Sequence, residues 1–248
     1  MTAPTQARPV VLVSGAARRI GAVIAQTLHA AGHDLALHCR NSRDDLDQLI
    51  AKLERERPNS TLALQADLSD LTQMPALIEA TMQRFGRLDG LVNNASDFFA
   101  TAFGSVTSEQ WDRLFASNAR APFFLAQAAA PQLKKTGGAI VNLLDIYAER
   151  PLAGHSVYCM AKAAQAAMTH ALALELGPEV RVNGVAPGAV MWPEADSDAA
   201  HRAKIIERTP LKRTGQPAEI ADAVLWLLRD ARFVTGQIIR VDGGRFFA

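Results

Sequence analysis

An acid, a tyrosine and a lysine stand at Asp145, Tyr158 and Lys162, thirteen and then four residues apart, and groups of these types can move a proton between them. Residues four apart share one face of a helix, so the Lys162 ammonium can sit near the Tyr158 phenol. A free phenol ionises near pH ~10, and a nearby cation favours the phenolate, so Tyr158 is expected to be drawn toward neutral-pH acid/base use. Alone, a Tyr and a Lys at this spacing also fit a packed phenol beside a snorkelling ammonium. What must be asked is which elements hold the three together.

Short apolar runs read as strands at Pro9–Ser14, Asp34–Cys39, Thr61–Gln65, Gly90–Asn93, Ala139–Leu144, Arg181–Val185 and Gln237–Val241. Helical periodicity lies between them at 19–31, 43–57, 72–85, 109–133, 156–176, 201–208 and 217–228. Alternation of near-continuously apolar strands with helices predicts one α/β domain over 9–248: a doubly wound, Rossmann-type parallel sheet of about seven strands, covered on both faces. Residues 1–8 are expected to be a flexible N-terminus. Ligands then bind at the carboxyl ends of the strands, which brings Gly15, Asn93, Asp145 and Pro187 to one rim. Pro75 suits a first helical turn, Gly32 stops the first helix, Ser108 is read as an N-cap, and Pro131 is expected to kink or shorten its helix.

The chain has 248 residues, about half of them apolar, and a formal net charge of +1, which makes no electrostatic case for nucleic acid or an anionic membrane. No 18-residue apolar stretch is present, and a soluble, cytoplasmic protein is expected. Cys39 and Cys159 cannot form a disulfide framework. His29 and His33 have no acid or cysteine cluster in sequence, so no metal is expected and both histidines are read as surface or loop residues.

Ser14-Gly15-x-x-x-Arg19-x-Gly21 follows a strand and opens a helix, the setting a phosphate-cradling loop requires. The second strand ends in His38-Cys39-Arg40-Asn41-Ser42 with no acid for a ribose 2′-hydroxyl. Arg40, Asn41 and Ser42 offer charge and donors for a 2′-phosphate instead, so NADPH/NADP⁺ is the expected cofactor.

With Asn93-Asn94-Ala95-Ser96 in the middle, Asn118 after a helical run and Pro187-Gly188 downstream, the chain resembles the short-chain dehydrogenase/reductase family. That resemblance implies cofactor contacts from Ser14, Gly15, Arg18, Arg19, Ile20, Gly21, His38, Asp67, Leu68, Asn94, Ala95, Ser96, Tyr158, Lys162, Pro187 and Gly188, with Asp67 at the adenine. Within it, Arg19, Ser96, Phe98 and Asp145 resemble the pteridine reductase branch, in which Asp replaces the usual active-site Ser. The implied reaction is NADPH-dependent reduction of a pterin or folate. Tyr158 would be the proton donor, Lys162 would lower its pKa and hold the ribose, Asp145 would feed the proton, and Asn118 would brace a water chain behind Lys162. Arg19, Ser96, Phe98, Asp145, Tyr158 and Trp192 would contact substrate, with Phe98 stacking on the heterocycle. A loop from Met191 through Pro193-Glu194, within a lid at about 190–210, would exclude water.

Phe98 could instead be a core aromatic beside Phe99 and Phe103, and Asp145 could pair with Arg150 or cap a loop. A ketone or 3-oxoacyl thioester reductase and an NADPH-binding sensor are the competing functions. The family resemblance also implies a homotetramer, for which Ala161, Ala164, Ala167 and Ala171 would allow a neighbouring helix to approach closely.

Overall fold

Residues 8–192 and 198–248 are described in the computed structural model; the expectations for residues 1–7 and for the 193–197 part of the lid fall outside them. In chain order the elements are β1 (Val10–Val13), α1 (Arg19–Ala30), β2 (Asp34–Cys39), α2 (Arg43–Glu56), β3 (Thr61–Gln65), α3 (Met74–Phe85), β4 (Gly90–Asn93), α4 (Ser108–Phe115), α5 (Ala121–Thr136), β5 (Ala139–Leu143), α6 (Ser156–Leu176), β6 (Arg181–Pro187), α7 (Ala199–Arg208), α8 (Pro217–Arg229) and β7 (Ile238–Val241). The strands form one parallel seven-stranded sheet in the order β3-β2-β1-β4-β5-β6-β7. Strand order reverses between β1 and β4, and a crevice opens there at the carboxyl ends of the strands.

Alternation along each strand decides which helices cover which face. Val11, Val13, Leu35, Leu37 and Val141 pack with Ile24 and Leu28 of α1, Leu46 and Leu53 of α2 and Val224 of α8. Val10, Leu12, Leu91, Ile140 and Val182 point the other way, onto Leu77 of α3, Leu125 and Leu133 of α5 and Leu172 of α6. Burial of both faces explains why β1, β2, β4 and β5 read as near-continuous apolar runs.

Four local expectations are corrected. The N-cap of α4 is Thr107, not Ser108: its hydroxyl accepts from Gln110 N while Gln110 reaches back to Thr107 N, a reciprocal capping box. Pro131 does not end its helix, since α5 runs through it to Thr136. Pro131 lies on the exposed side, where the carbonyl it leaves unpaired meets water. The irregularity falls earlier, in a π-helical turn at Ala116–Arg120 that carries Asn118.

His29 and His33 are buried rather than on the surface. The His29 ring meets Ser60 Oγ at 2.9 Å, joining α1 to the start of edge strand β3, and the His33 ring meets Leu28 O at 3.1 Å at the end of α1; burial lowers both pKa values. Finally, Ala161 is wholly buried inside the chain and cannot meet another copy, whereas Ala167 and Ala171 are open. Among the described residues no helix is long and apolar enough to cross a membrane, and no group of three His, Cys, Asp or Glu is placed to hold a metal.

Candidate active site

The strand ends of the crevice are drawn together by β1's outgoing loop. Ser14 Oγ accepts from the backbone N–H groups of Asn94 and Ala95, both at 3.0 Å, and the Asn94 side chain donates to Ser14 O and Gly15 O. Gly21 is where the loop and α1 close up: a Cβ there would lie 2.1 Å from Gly15 O and 2.6 Å from Asn94 Nδ2, so only glycine fits. Such a contact is the helix-to-strand packing of a dinucleotide-binding turn. Arg19, at φ +52°, holds a left-handed backbone that glycine would take freely. Its guanidinium crosses the crevice to the carbonyls of Met191 and Trp192, at 3.4 and 3.2 Å.

The crevice widens into a cavity of about 1250 Å³. That exceeds the ~300–1,000 Å³ of a single small-ligand pocket, leaving room for two ligands side by side. Gly15, Arg18, Arg19, Ile20, Gly21, His38, Arg40, Asp67, Leu68, Asn94, Ala95, Ser96, Pro187 and Gly188 line it, as do Phe98, Asp145, Tyr158, Lys162 and Trp192. Ser14, Asn41, Ser42 and Asn118 do not. Ser42 stands at the start of α2, its carbonyl taking Leu46 N.

His38 is committed to the scaffold: Nδ1 accepts from Gly15 N at 3.3 Å, which leaves Nε2 to donate to Ala66 O at 3.1 Å, and burial lowers the ring's pKa. Asp67 accepts from Ser69 N, a bond that holds its carboxyl below the usual range. Helix capping at this turn falls to Asp70. Arg18 pairs with Asp45, and Arg40 lies 3.8 Å from Asp97, whose closer partner is Arg113 at 2.8 Å.

Asp145 follows β5, and its two oxygens do separate work. One accepts from Tyr147 N at 2.9 Å, capping a 3-10 turn over Ile146–Ala148; the other accepts the Tyr158 hydroxyl, also at 2.9 Å. It does not pair with Arg150, which donates to carbonyls of the chain terminus. Burial raises the Asp145 pKa, and burial followed by the Asp145 charge pushes Tyr158 well above the ordinary phenol value.

This reverses the expectation that Lys162 brings Tyr158 toward neutrality. The ammonium stands 5.9 Å from the Tyr158 ring centroid and donates instead to Leu143 O at 2.8 Å and Gln165 Oε1 at 3.1 Å. Spacing of four fixes the shared face and leaves the direction of the ammonium open. Burial brings Lys162 down to about 8. Tyr158 and Asp145 thus share a proton that neither readily gives to water.

Asn118 lies in the π-helical turn and is fully buried. Its Oδ1 accepts from Ser96 Oγ at 2.7 Å, and its Nδ2 donates to Asp97 O and Leu114 O. It ties down the Ser96–Asp97 segment, while the Lys162 ammonium is held by Leu143 and Gln165. Phe98, on the same segment, is half-exposed in the cavity wall, unlike a core aromatic, and Phe103 is fully open to solvent. Phe98 stacks on His155 with centroids 4.8 Å apart and 12° between planes, and meets Tyr158 edge-on at 4.8 Å. His155, Tyr147 and Arg245 line the cavity without having been expected from sequence. Tyr147 alone had a legible signal, its position two residues after Asp145.

Residues 15–245 match the family model described as enoyl-(acyl carrier protein) reductase. The chain is 37% identical over 284 residues to pteridine reductase 1 of Leishmania tarentolae, covering 98% of this chain and 97% of that protein. It is 38% identical over 243 residues to L-xylulose reductase of Bos taurus, with 94% of each covered. To the 3-oxoacyl-(acyl-carrier-protein) reductase of Staphylococcus aureus strain Mu50 it is 32% identical over 239 residues, covering 95% and 97%. The family match spans the β1 loop from Gly15, the Asp145 turn and the last strand, and from it and these relatives we conclude that the chain belongs to the short-chain dehydrogenase/reductase family of oxidoreductases.

Proposed function

We propose that the protein reduces a pterin or folate at the expense of NADPH, with Tyr158 as the group that delivers the proton and Asp145 as the group that resupplies it. The observation that carries this reading is the buried Asp145 carboxyl bonded to the Tyr158 hydroxyl at 2.9 Å. A ketone reductase needs only a neutral hydroxyl beside Tyr to polarise a carbonyl. Protonating a ring nitrogen calls for an acid, and a carboxyl group whose neutral form burial favours can serve as one. Phe98 supports the same reading, since a half-exposed ring beside Tyr158 offers a face to a flat heterocycle. The similarity to a protein named pteridine reductase 1 agrees with it.

The loop from Ser14 to Gly21 fits a dinucleotide pyrophosphate, and bound there the cofactor supplies the reducing equivalent. Gly15 and Gly21 let the backbone approach, Arg18 and Arg19 bring charge, and Lys162 places its ammonium for a ribose. Arg40 carries the preference for a 2′-phosphate: its carboxylate neighbour, Asp97, is 3.8 Å away and already engaged by Arg113. The remaining arm is assembly. Open Ala167 and Ala171 on α6 suit contact between copies, and a homotetramer is proposed, with light scattering at micromolar concentration as its check.

The relatives named as ketone and 3-oxoacyl thioester reductases favour a second reading, reduction of a carbonyl in the same cavity. One assay separates the two. Loss of absorbance at 340 nm is followed with a dihydropteridine, dihydrofolate and a 3-oxoacyl thioester, each with NADPH and with NADH. The proposal expects turnover of the dihydropteridine or dihydrofolate with NADPH favoured. Turnover confined to the thioester rejects the pterin, and equal kcat/KM for the two cofactors rejects the role of Arg40.

A further inference from the structure

The chain has two tyrosines, Tyr147 and Tyr158, and both stand in the cavity wall beside Asp145. Proton delivery uses only the second. The Tyr147 hydroxyl accepts from Arg245 Nη2 at 3.2 Å, and the guanidinium carbon lies 6.0 Å from its ring centroid. Arg245 belongs to the turn after β7, three residues before Ala248, and that turn is fixed from several sides. Asp242 accepts from Gly244 N at 2.9 Å and Phe246 N at 2.7 Å, and Arg150 donates to the carbonyls of Arg245 and Phe246. Gly188 closes the other flank: its N–H donates to Val241 O, and a Cβ there would lie 2.8 Å from Asp242 Cα. The terminal turn is therefore wedged between the Asp145 segment and the Pro187–Gly188 bend.

Charge points the same way. Arg18, Arg40 and Arg113 line the cavity facing a carboxylate, whereas Arg245 forms no ion pair among the described residues. Asp145 is faced by Tyr158, Cys159 and Lys162 from α6, by Tyr147 from its own turn and by Arg245 from the terminus. Among these described neighbours, Lys162 and Arg245 bring positive charge. A cation beside a buried carboxyl favours its ionised form and so opposes what burial does to it.

We infer that Arg245 is a positioning residue of the proton-transfer pair: the terminal turn carries its guanidinium to Tyr147, where it steadies the Asp145 segment and sets a second positive charge, after Lys162, against the Asp145 carboxyl. With Arg245 in place, the Asp145 carboxyl is held nearer its ionised form than burial and Lys162 alone would leave it. The inference rests on Asp145 and Tyr158 acting together, and holds for a pterin or a carbonyl substrate alike.

The test follows the Asp145 carboxyl directly, by ¹³C NMR titration of protein labelled at aspartate, with Asp145→Asn assigning the signal. Arg245→Gln, which keeps a donor and loses the charge, raises the titration midpoint by on the order of one pH unit, the effect of one unit charge at an effective dielectric near ~20. Arg245→Lys returns it toward the parent. If the neutral variant does not fold, Tyr147→Phe replaces it, since freeing the guanidinium from its anchor moves the midpoint in the same direction. An unmoved midpoint in the folded neutral variant, or in Tyr147→Phe where that stands in, overturns the inference. No substrate enters this measurement, so a protein that reduces no pterin can still pass or fail it.

Discussion

Tyr158→Phe lowers turnover by a factor of about 10²–10⁴, the usual worth of a positioned general acid, while NADPH binds as tightly as before. The ring stays, so packing against Phe98 and the α4–α6 cluster survives; only the hydroxyl that donates to Asp145 is lost. Within the pair the direction of proton flow is set by the pKa values. Burial and the Asp145 charge hold Tyr158 above the ordinary phenol range, so its resting form is the neutral donor.

Once the proton has gone to substrate, the phenolate takes a proton from Asp145 in its acid form, which burial favours, and Asp145 is left as the carboxylate until a proton from solvent restores it. The paired change is Asp145→Ser, which leaves a hydroxyl and removes the acid; it impairs reduction of a ring C=N more than reduction of a carbonyl. Cofactor binding by fluorescence and single-turnover rates at 340 nm read both arms. Retention of more than a tenth of parental turnover in Tyr158→Phe would sink the assignment of the donor.

Strands β2, β3 and β4 were legible to the residue, because each is a short apolar run closed by turn-forming residues. Their carboxyl ends fix where the crevice lies, and with it much of the cavity wall proposed for the cofactor. What local pattern could not carry was the direction of long side chains. Lys162 shares a helix face with Tyr158, yet its ammonium is claimed by Leu143 O on β5, a contact nineteen residues away in sequence. His29 and His33 looked exposed for the same reason, since Ser60, which partners His29, arrives from beyond α2. The N-cap of α4 was within reach of sequence: Thr107 stands three residues before Gln110, the spacing of a capping box, and Ser108 does not. Arg245 had no signal at all, because its place beside Tyr147 comes from the tertiary wedging of the terminal turn.

Lys162→Met is expected to abolish turnover and yet flatten the dependence of stability on alkaline pH. Lys162 is 2% exposed, and burial takes its pKa from 10.5 to about 8. Below pH 8 the folded protein carries the full cost of a buried ammonium. Between about 8 and 10.5 the folded chain releases the proton while the unfolded chain still holds it, so the parent gains stability as pH rises through that window. The depressed pKa sets the size of the gain at about 3 kcal/mol.

Methionine keeps the unbranched shape without the charge, so the variant has no such gain. It leaves Leu143 O and Gln165 Oε1 without their donor, at about 1–3 kcal/mol, which offsets much of its advantage at neutral pH. The stability difference between variant and parent therefore moves by about 3 kcal/mol in the parent's favour from pH 7 to pH 10.5. Urea unfolding at several pH values measures it, and a difference that stays flat would show that Lys162 is not held against its own desolvation. The proposed function gives that cost a use, since it assigns the Lys162 ammonium to a cofactor ribose beside the Asp145–Tyr158 pair.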